Sequence, residues 1–234
     1  MKRIVSIALG VSASVLALGT MAAVAGPILF GGAAASTAAV TPSVKPTVRE
    51  LPARVAYDDL AELVGDWVIA DGSTAGYTIG AVVNGSPTTV SGTTDNVTGS
   101  ATVDERGLTG ATIVVDVAGI TTDNAARDAY VRGPALDVDA YPTAVFVLSD
   151  PVALSDELVD GQPVVVAASG VLTLHGVSHS VEVSLTAQME NGKLTLAGSV
   201  PVSFGDYDIE PIDLGFVSVD DEGSIDFTLA ATPR

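Results

Sequence analysis

The chain has 234 residues, with Lys+Arg 10 against Asp+Glu 28, a formal net charge of -18, and no cysteine. A balance this acidic repels nucleic acid and anionic headgroups, and so argues against a nucleic-acid partner. Without cysteine there is no disulfide, no thiolate zinc site, no cysteine nucleophile and no lipoprotein anchor, so the fold rests on its hydrophobic core.

Lys2 and Arg3 open the chain, and no charged residue follows until Lys45. Ile4 to Leu18 is almost continuously apolar, and Ala23-Val24-Ala25 supplies the small-x-small pattern of a signal peptidase site. The uncharged run from Ile4 to Phe30 also exceeds the roughly 20 residues that a helix needs to span a bilayer core. Residues 1–30 therefore read as a signal peptide or a membrane anchor. Either one places the rest outside the cytoplasm, secreted or held to the cytoplasmic membrane by the N-terminal segment. Residues 31–56 form an Ala/Pro/Ser/Thr-rich tether in which Pro42, Pro46 and Pro52 prevent regular structure. Residues 57–234 remain as one domain, and every acidic residue lies at or after Glu50. Within Ala53 to Val64, the spacing of Val55, Leu60, Leu63 and Val64 predicts a short helix at the domain edge.

From Trp67 onward the apolar period is two. Tyr77 and Ile79 alternate with polar or small neighbours, as do Val97, Ala101 and Val103, then Ala111, Ile113, Val115 and Val117. Ala144, Phe146 and Leu148 repeat the pattern, followed by Leu172 with Leu174, by Val181, Val183 and Leu185, by Leu194 with Leu196, and by Ile225, Phe227 and Leu229. Such half-apolar runs, rich in Val and Thr, predict antiparallel strands with one dry face. Asn84-Gly85 and Asn191-Gly192 are hairpin turn signals between them. Two helices are expected in the crossings. One is capped by Thr122-Asp123, runs from Ala125 to Arg132 and stops at Gly133-Pro134; the other spans Leu154 to Val159. Eight or so strands with these helices make the domain mainly β, as an antiparallel barrel or sandwich.

Several local sequences then fall in one order: Gly65-Asp66-Trp67, Ser73-Thr74-Ala75-Gly76-Tyr77, Val97-Thr98-Gly99, Arg127-Asp128 four residues before Arg132, Tyr141-Pro142-Thr143-Ala144-Val145-Phe146, and Leu172-Thr173-Leu174-His175-Gly176-Val177. In this the chain resembles the YceI-like family of lipocalin-like, polyisoprenoid-binding proteins, especially its actinobacterial-type members. The family commonly continues the last segment with Thr-Arg-Pro, where this chain has Ser178-His179-Ser180. The resemblance implies an extended eight-stranded antiparallel lipocalin-like barrel holding a polyisoprenoid or similar long apolar amphiphile, with no cofactor and no catalysis.

The expected lining is Tyr77, Ile79, Ile113, Val115, Phe146, Leu148, Leu172, Leu174, Val183, Leu185, Leu196 and Phe227. Small residues on the same parity, Gly99, Ala101, Ala111, Ala144, Ala168, Gly170 and Gly198, are expected to leave room inside. Alternation itself reads alike for a hollow barrel and a filled one. The second reading is an envelope structural or stress-related protein whose filled barrel acts through protein contacts.

Other chemistry finds little support. His175 and His179 could join Glu182 at a metal only on one strand face, and Gly176 predicts a turn between them. Asp206, Asp208 and Glu210 have calcium-loop spacing, but Pro211 and Val217 stand where glycine and glutamate are required. There is no G-x-S-x-G elbow and no glycine-rich phosphate loop. Arg127 and Asp128 read as helix-surface charge anchoring a lid to the barrel rim.

Overall fold

A computed structural model describes residues 59–234. The leader, the tether and the first part of the helix expected over Ala53 to Val64 lie outside the described residues. Within them, no helix is long and apolar enough to cross a membrane. The described end of the expected helix is a single 3-10 turn, Leu60–Leu63, capped by the Asp59 carboxylate.

Ten strands follow: β1 (Gly65–Ile69), β2 (Thr74–Val83), β3 (Ser86–Thr94), β4 (Val97–Asp104), β5 (Gly107–Asp116), β6 (Thr143–Leu148), β7 (Val164–Leu174), β8 (Val177–Glu190), β9 (Lys193–Ser203) and β10 (Val217–Pro233). Every pairing is antiparallel, and β1 pairs with both β4 and β10, which closes the sheet. β10 carries β2 along one stretch of its edge and β1 along the next. β1 with β2, and β3 with β4, thus each act as one strand with a break, and the wall is a closed eight-stranded barrel. Both breaks are held by hydroxyls. The Ser73 side chain, 1% exposed, donates to the Ala70 carbonyl and accepts from the Ala230 amide. Thr94 Oγ1 accepts from the Asn96 amide.

Three hairpins turn through two residues, each with positive φ: Asn84-Gly85, His175-Gly176 and Asn191-Gly192. That backbone matches the right-handed twist of the flanking strands and suits Asn-Gly best. The crossing from β5 to β6 contains helix α1 (Ala125–Tyr130), continued by a π-helical turn over Val131–Ala135. Two expectations are corrected here. The cap is Asn124, whose side chain accepts from the Ala126 and Arg127 amides, rather than Thr122-Asp123. Gly133-Pro134 does not end the helix: Pro134 lies inside the π turn, and beyond it the Leu136 amide still bonds back to the Val131 carbonyl at 3.0 Å.

β6 is much shorter than the strands flanking it. It pairs with β5 over 112–116 and with β7 over 170–173. Beyond it, the first halves of β5 and β7 have no strand between them, and the strap from Ser149 to Gln162 covers the gap. Ser155 caps α2 (Asp156–Val159) on this strap. Leu108 and Val152 exchange both backbone hydrogen bonds across it, at 2.9 Å each.

Apolar side chains gather at both ends of the barrel. One cluster joins Leu63, Trp67, Val103, Leu158 and Met189; the other joins Val117, Ile120, Leu136, Leu174, Tyr207 and Ile209. Trp67 fixes the first by donating its indole N–H to the Leu63 carbonyl at 2.9 Å.

Candidate functional site

The barrel axis between the two clusters holds a cavity of about 230 Å³. It exists because inward positions repeat on every strand. On β8 alone, Val181, Val183, Leu185, Ala187 and Met189 border it in succession, about 26 Å of strand at roughly 3.3 Å per residue. Of the residues expected inside, Tyr77, Ile113, Val115, Phe146, Leu148, Leu172, Leu174, Val183, Leu185, Leu196 and Phe227 all border the cavity.

Ile79 does not. It pairs with Gly223 and Val90 where the β10 register slips, on the part of the β2–β3 hairpin that runs beyond β1 and β4. A side chain on Gly223 would strike the Phe204 ring, and Phe204 rather than Ile79 borders the cavity.

The small residues divide by type. Ala101, Ala111, Ala144 and Ala168 border the cavity, but the glycines give their space to neighbours. A Cβ on Gly170 would lie 2.2 Å from the Phe146 ring, one on Gly198 would lie 2.7 Å from the Phe227 ring, and one on Gly99 would lie 2.4 Å from the Thr112 carbonyl. Gly170 and Gly198 therefore make room for aromatic rings that border the cavity, while Gly99 lets β5 backbone approach closely.

Residues beyond those expected in the lining complete the enclosure. Leu63, Trp67 and Met189 close one end, with Leu154 and Leu158 from the strap; Ile120, Leu136 and Phe204 close the other. Leu154 and Leu158 were within reach of the helical spacing. Ile120, Leu136 and Phe204 sit in irregular segments whose sequence carries no period.

Among the described residues the lining contains no charged side chain; its polar groups are the Trp67 indole and the hydroxyls of Tyr77 and Ser155. Ser155 Oγ accepts from the Glu157 amide. Burial pushes the Tyr77 phenol above its ordinary pKa, with nearby Arg127 opposing and Asp128 adding to the rise. Tyr207, 2% exposed, packs in the cluster at that end, and its hydroxyl has no protein partner. Burial, followed by Asp206, raises its pKa as well.

His175 and His179 do not share a strand face. His175 lies in the hairpin turn, and one nitrogen on each ring contacts consecutive carbonyls of the 3-10 turn Phe204–Tyr207: His175 Nδ1 with Tyr207 at 3.0 Å, His179 Nε2 with Asp206 at 2.9 Å. The two imidazoles hold the end plug of the barrel. Among the described residues no cluster of three His, Cys, Asp or Glu side chains could hold a metal ion. Asp206, Asp208 and Glu210 are exposed.

Arg127 and Asp128 tie the lid to its own entry segment, not to a strand of the rim. Arg127 pairs with Asp123, while the buried Asp128 carboxylate accepts from the Thr122 amide at 2.8 Å and hydroxyl at 2.7 Å. Arg132 donates to the Ile120 carbonyl at 3.2 Å.

Among known proteins, a polyisoprenoid-binding domain from Saccharophagus degradans implicated in plant cell wall breakdown has a similar structure (TM-score 0.55, 16% identity, 72% of this chain and 98% of that one). Burkholderia cenocepacia BcnA is also similar (TM-score 0.53, 22% identity, 68% of this chain and 96% of that one). These likenesses establish the fold. No curated protein matches the chain in sequence. The family model described as YceI-like domain matches residues 67–231, nearly the whole barrel, and the chain belongs to that family.

Proposed function

We propose that the protein is an exported carrier that binds a polyisoprenoid or similar long apolar amphiphile within the barrel. The observation that carries the reading is the cavity on the barrel axis, whose lining among the described residues carries no charge. Its volume of about 230 Å³ falls between the roughly 150 Å³ of a dry cavity that takes up benzene and the roughly 300–1,000 Å³ of drug-sized pockets, which suits a slim hydrocarbon chain. Each buried methylene contributes about 0.8 kcal/mol, so burial supplies the affinity and no chemical step is needed. The binding described for the Saccharophagus degradans relative agrees with this reading. So does the N-terminal sequence, which delivers the barrel to the side of the membrane where the ligand would be collected or released.

Native mass spectrometry of the full chain purified from its own host is the test. A co-purifying apolar mass is expected. Protein that is ligand-free, and that stays ligand-free when incubated with prenyl lipids, would sink the proposal. Fractionation with N-terminal sequencing tests export: extracytoplasmic protein either starts after Ala25 or keeps its leader as an anchor. Intact protein confined to the cytosol overturns that part.

A further inference from the structure

The cavity and its approaches carry information about the ligand's head as well as its chain. Resting on the carrier reading above, we infer that the barrel takes amphiphiles with an uncharged head, such as a prenyl alcohol, and rejects their phosphorylated counterparts. Inside, a phosphate would meet no cation: the lining among the described residues has no lysine, arginine or histidine, its Trp67 indole N–H is spent on the Leu63 carbonyl, and its hydroxyls are those of Tyr77 and Ser155. An anion buried without a partner is costly, whereas an alcohol or carbonyl oxygen needs one hydroxyl contact.

A head left at either end fares no better. At the lid end, Asp123, Asp128, Asp137 and Asp139 outnumber Arg127 and Arg132. Both arginines are already engaged there, Arg127 by Asp123 and Arg132 by the Ile120 carbonyl. The adjoining plug adds exposed Asp206 and Asp208. At the other end, the strap carries Asp150, Asp156, Glu157 and Asp160 with no basic residue from Ser149 to Gln162. Of the cations at that end, Arg106 is paired by Asp104, Lys193 stands opposite Glu190 in the hairpin register, and Arg234 bonds through its backbone amide to Asp66. Like charge at close range disfavours a dianionic head in either orientation.

The test is displacement of Nile red from the full chain by farnesol and by farnesyl monophosphate, two ligands with the same chain and different heads. Farnesol is expected to displace the dye at a concentration at least tenfold lower. Displacement by the phosphate at an equal or lower concentration overturns the inference and leaves the carrier reading intact. Failure of both ligands to compete, together with ligand-free protein by native mass spectrometry, overturns both.

Discussion

Gly198 and Phe227 face each other across β9 and β10, and the pair shows how single residues set the bore of this barrel. An aromatic ring lying over a glycine fills the space that a side chain would occupy and covers backbone that would otherwise be loosely packed. In Gly198→Ala, the new methyl would meet the Phe227 ring at 2.7 Å and Leu185 Cβ at 3.0 Å. The Phe227 ring borders the cavity, which is open space it can be pushed into. The variant is expected to lose about 1–3 kcal/mol, as overpacked cores do. It should also bind Nile red more weakly, because the displaced ring takes cavity space. Thermal melting and dye titration check the two effects, and the second change Phe227→Leu should restore stability. An unchanged melting temperature with unchanged dye affinity would show that Gly198 carries no ring contact worth the name.

At the scale of elements, what could be read in the sequence is what has a period or a fixed turn chemistry. The alternation around Ile113, Leu172 and Val183 marked strands and their inner faces, and Asn84-Gly85 and Asn191-Gly192 marked two hairpins, because both signals are local. The limits of the α1 crossing were not legible. Asn124 competes with Thr122 and Asp123 for the cap, and only tertiary packing decides between them. Thr122 instead serves Asp128. Its hydroxyl is the main reason that the Asp128 carboxyl is held below the ordinary carboxylate range, with burial opposing and the Thr122 amide, Arg132 and Arg127 assisting. A carboxyl with a depressed pKa in the folded state stabilises it fully above its unfolded value of about 3.9. That contribution drains away as pH falls through the folded value. Asp128→Asn is therefore expected to be less stable than the parent at pH 6, with the gap closing as pH drops through the acid range. Urea midpoints across pH 6 to 2 would check this, and a constant gap would argue against the Thr122–Asp128 link.

For the whole molecule, closure of the sheet is the property that strand periodicity could not supply. Ile79 shows why: its parity is that of Tyr77, but the barrel closes before the β2–β3 hairpin ends, and closure depends on β1 meeting both β4 and β10. Ser73, at the break that lets one strand line change partners, belongs to a family-like segment, but no period marks its role in the closure. The short β6 has a further consequence, for rates rather than affinities. A wall secured everywhere by continuous ladders would have to unfold before a long chain could leave, whereas the strap is joined to β5 by the reciprocal pair at Leu108 and Val152. Local opening with so few bonds to break lies at the low end of the stability range within a domain. In hydrogen exchange, the Leu108 and Val152 amides are expected to exchange well before those of Leu185 and Phe227 in the mid-wall, and ligand should slow them. Equal protection at all four would place the slow step elsewhere. With the strap opening first, the residence time of a bound lipid is set by the strap and uncoupled from the global stability of the barrel that encloses it.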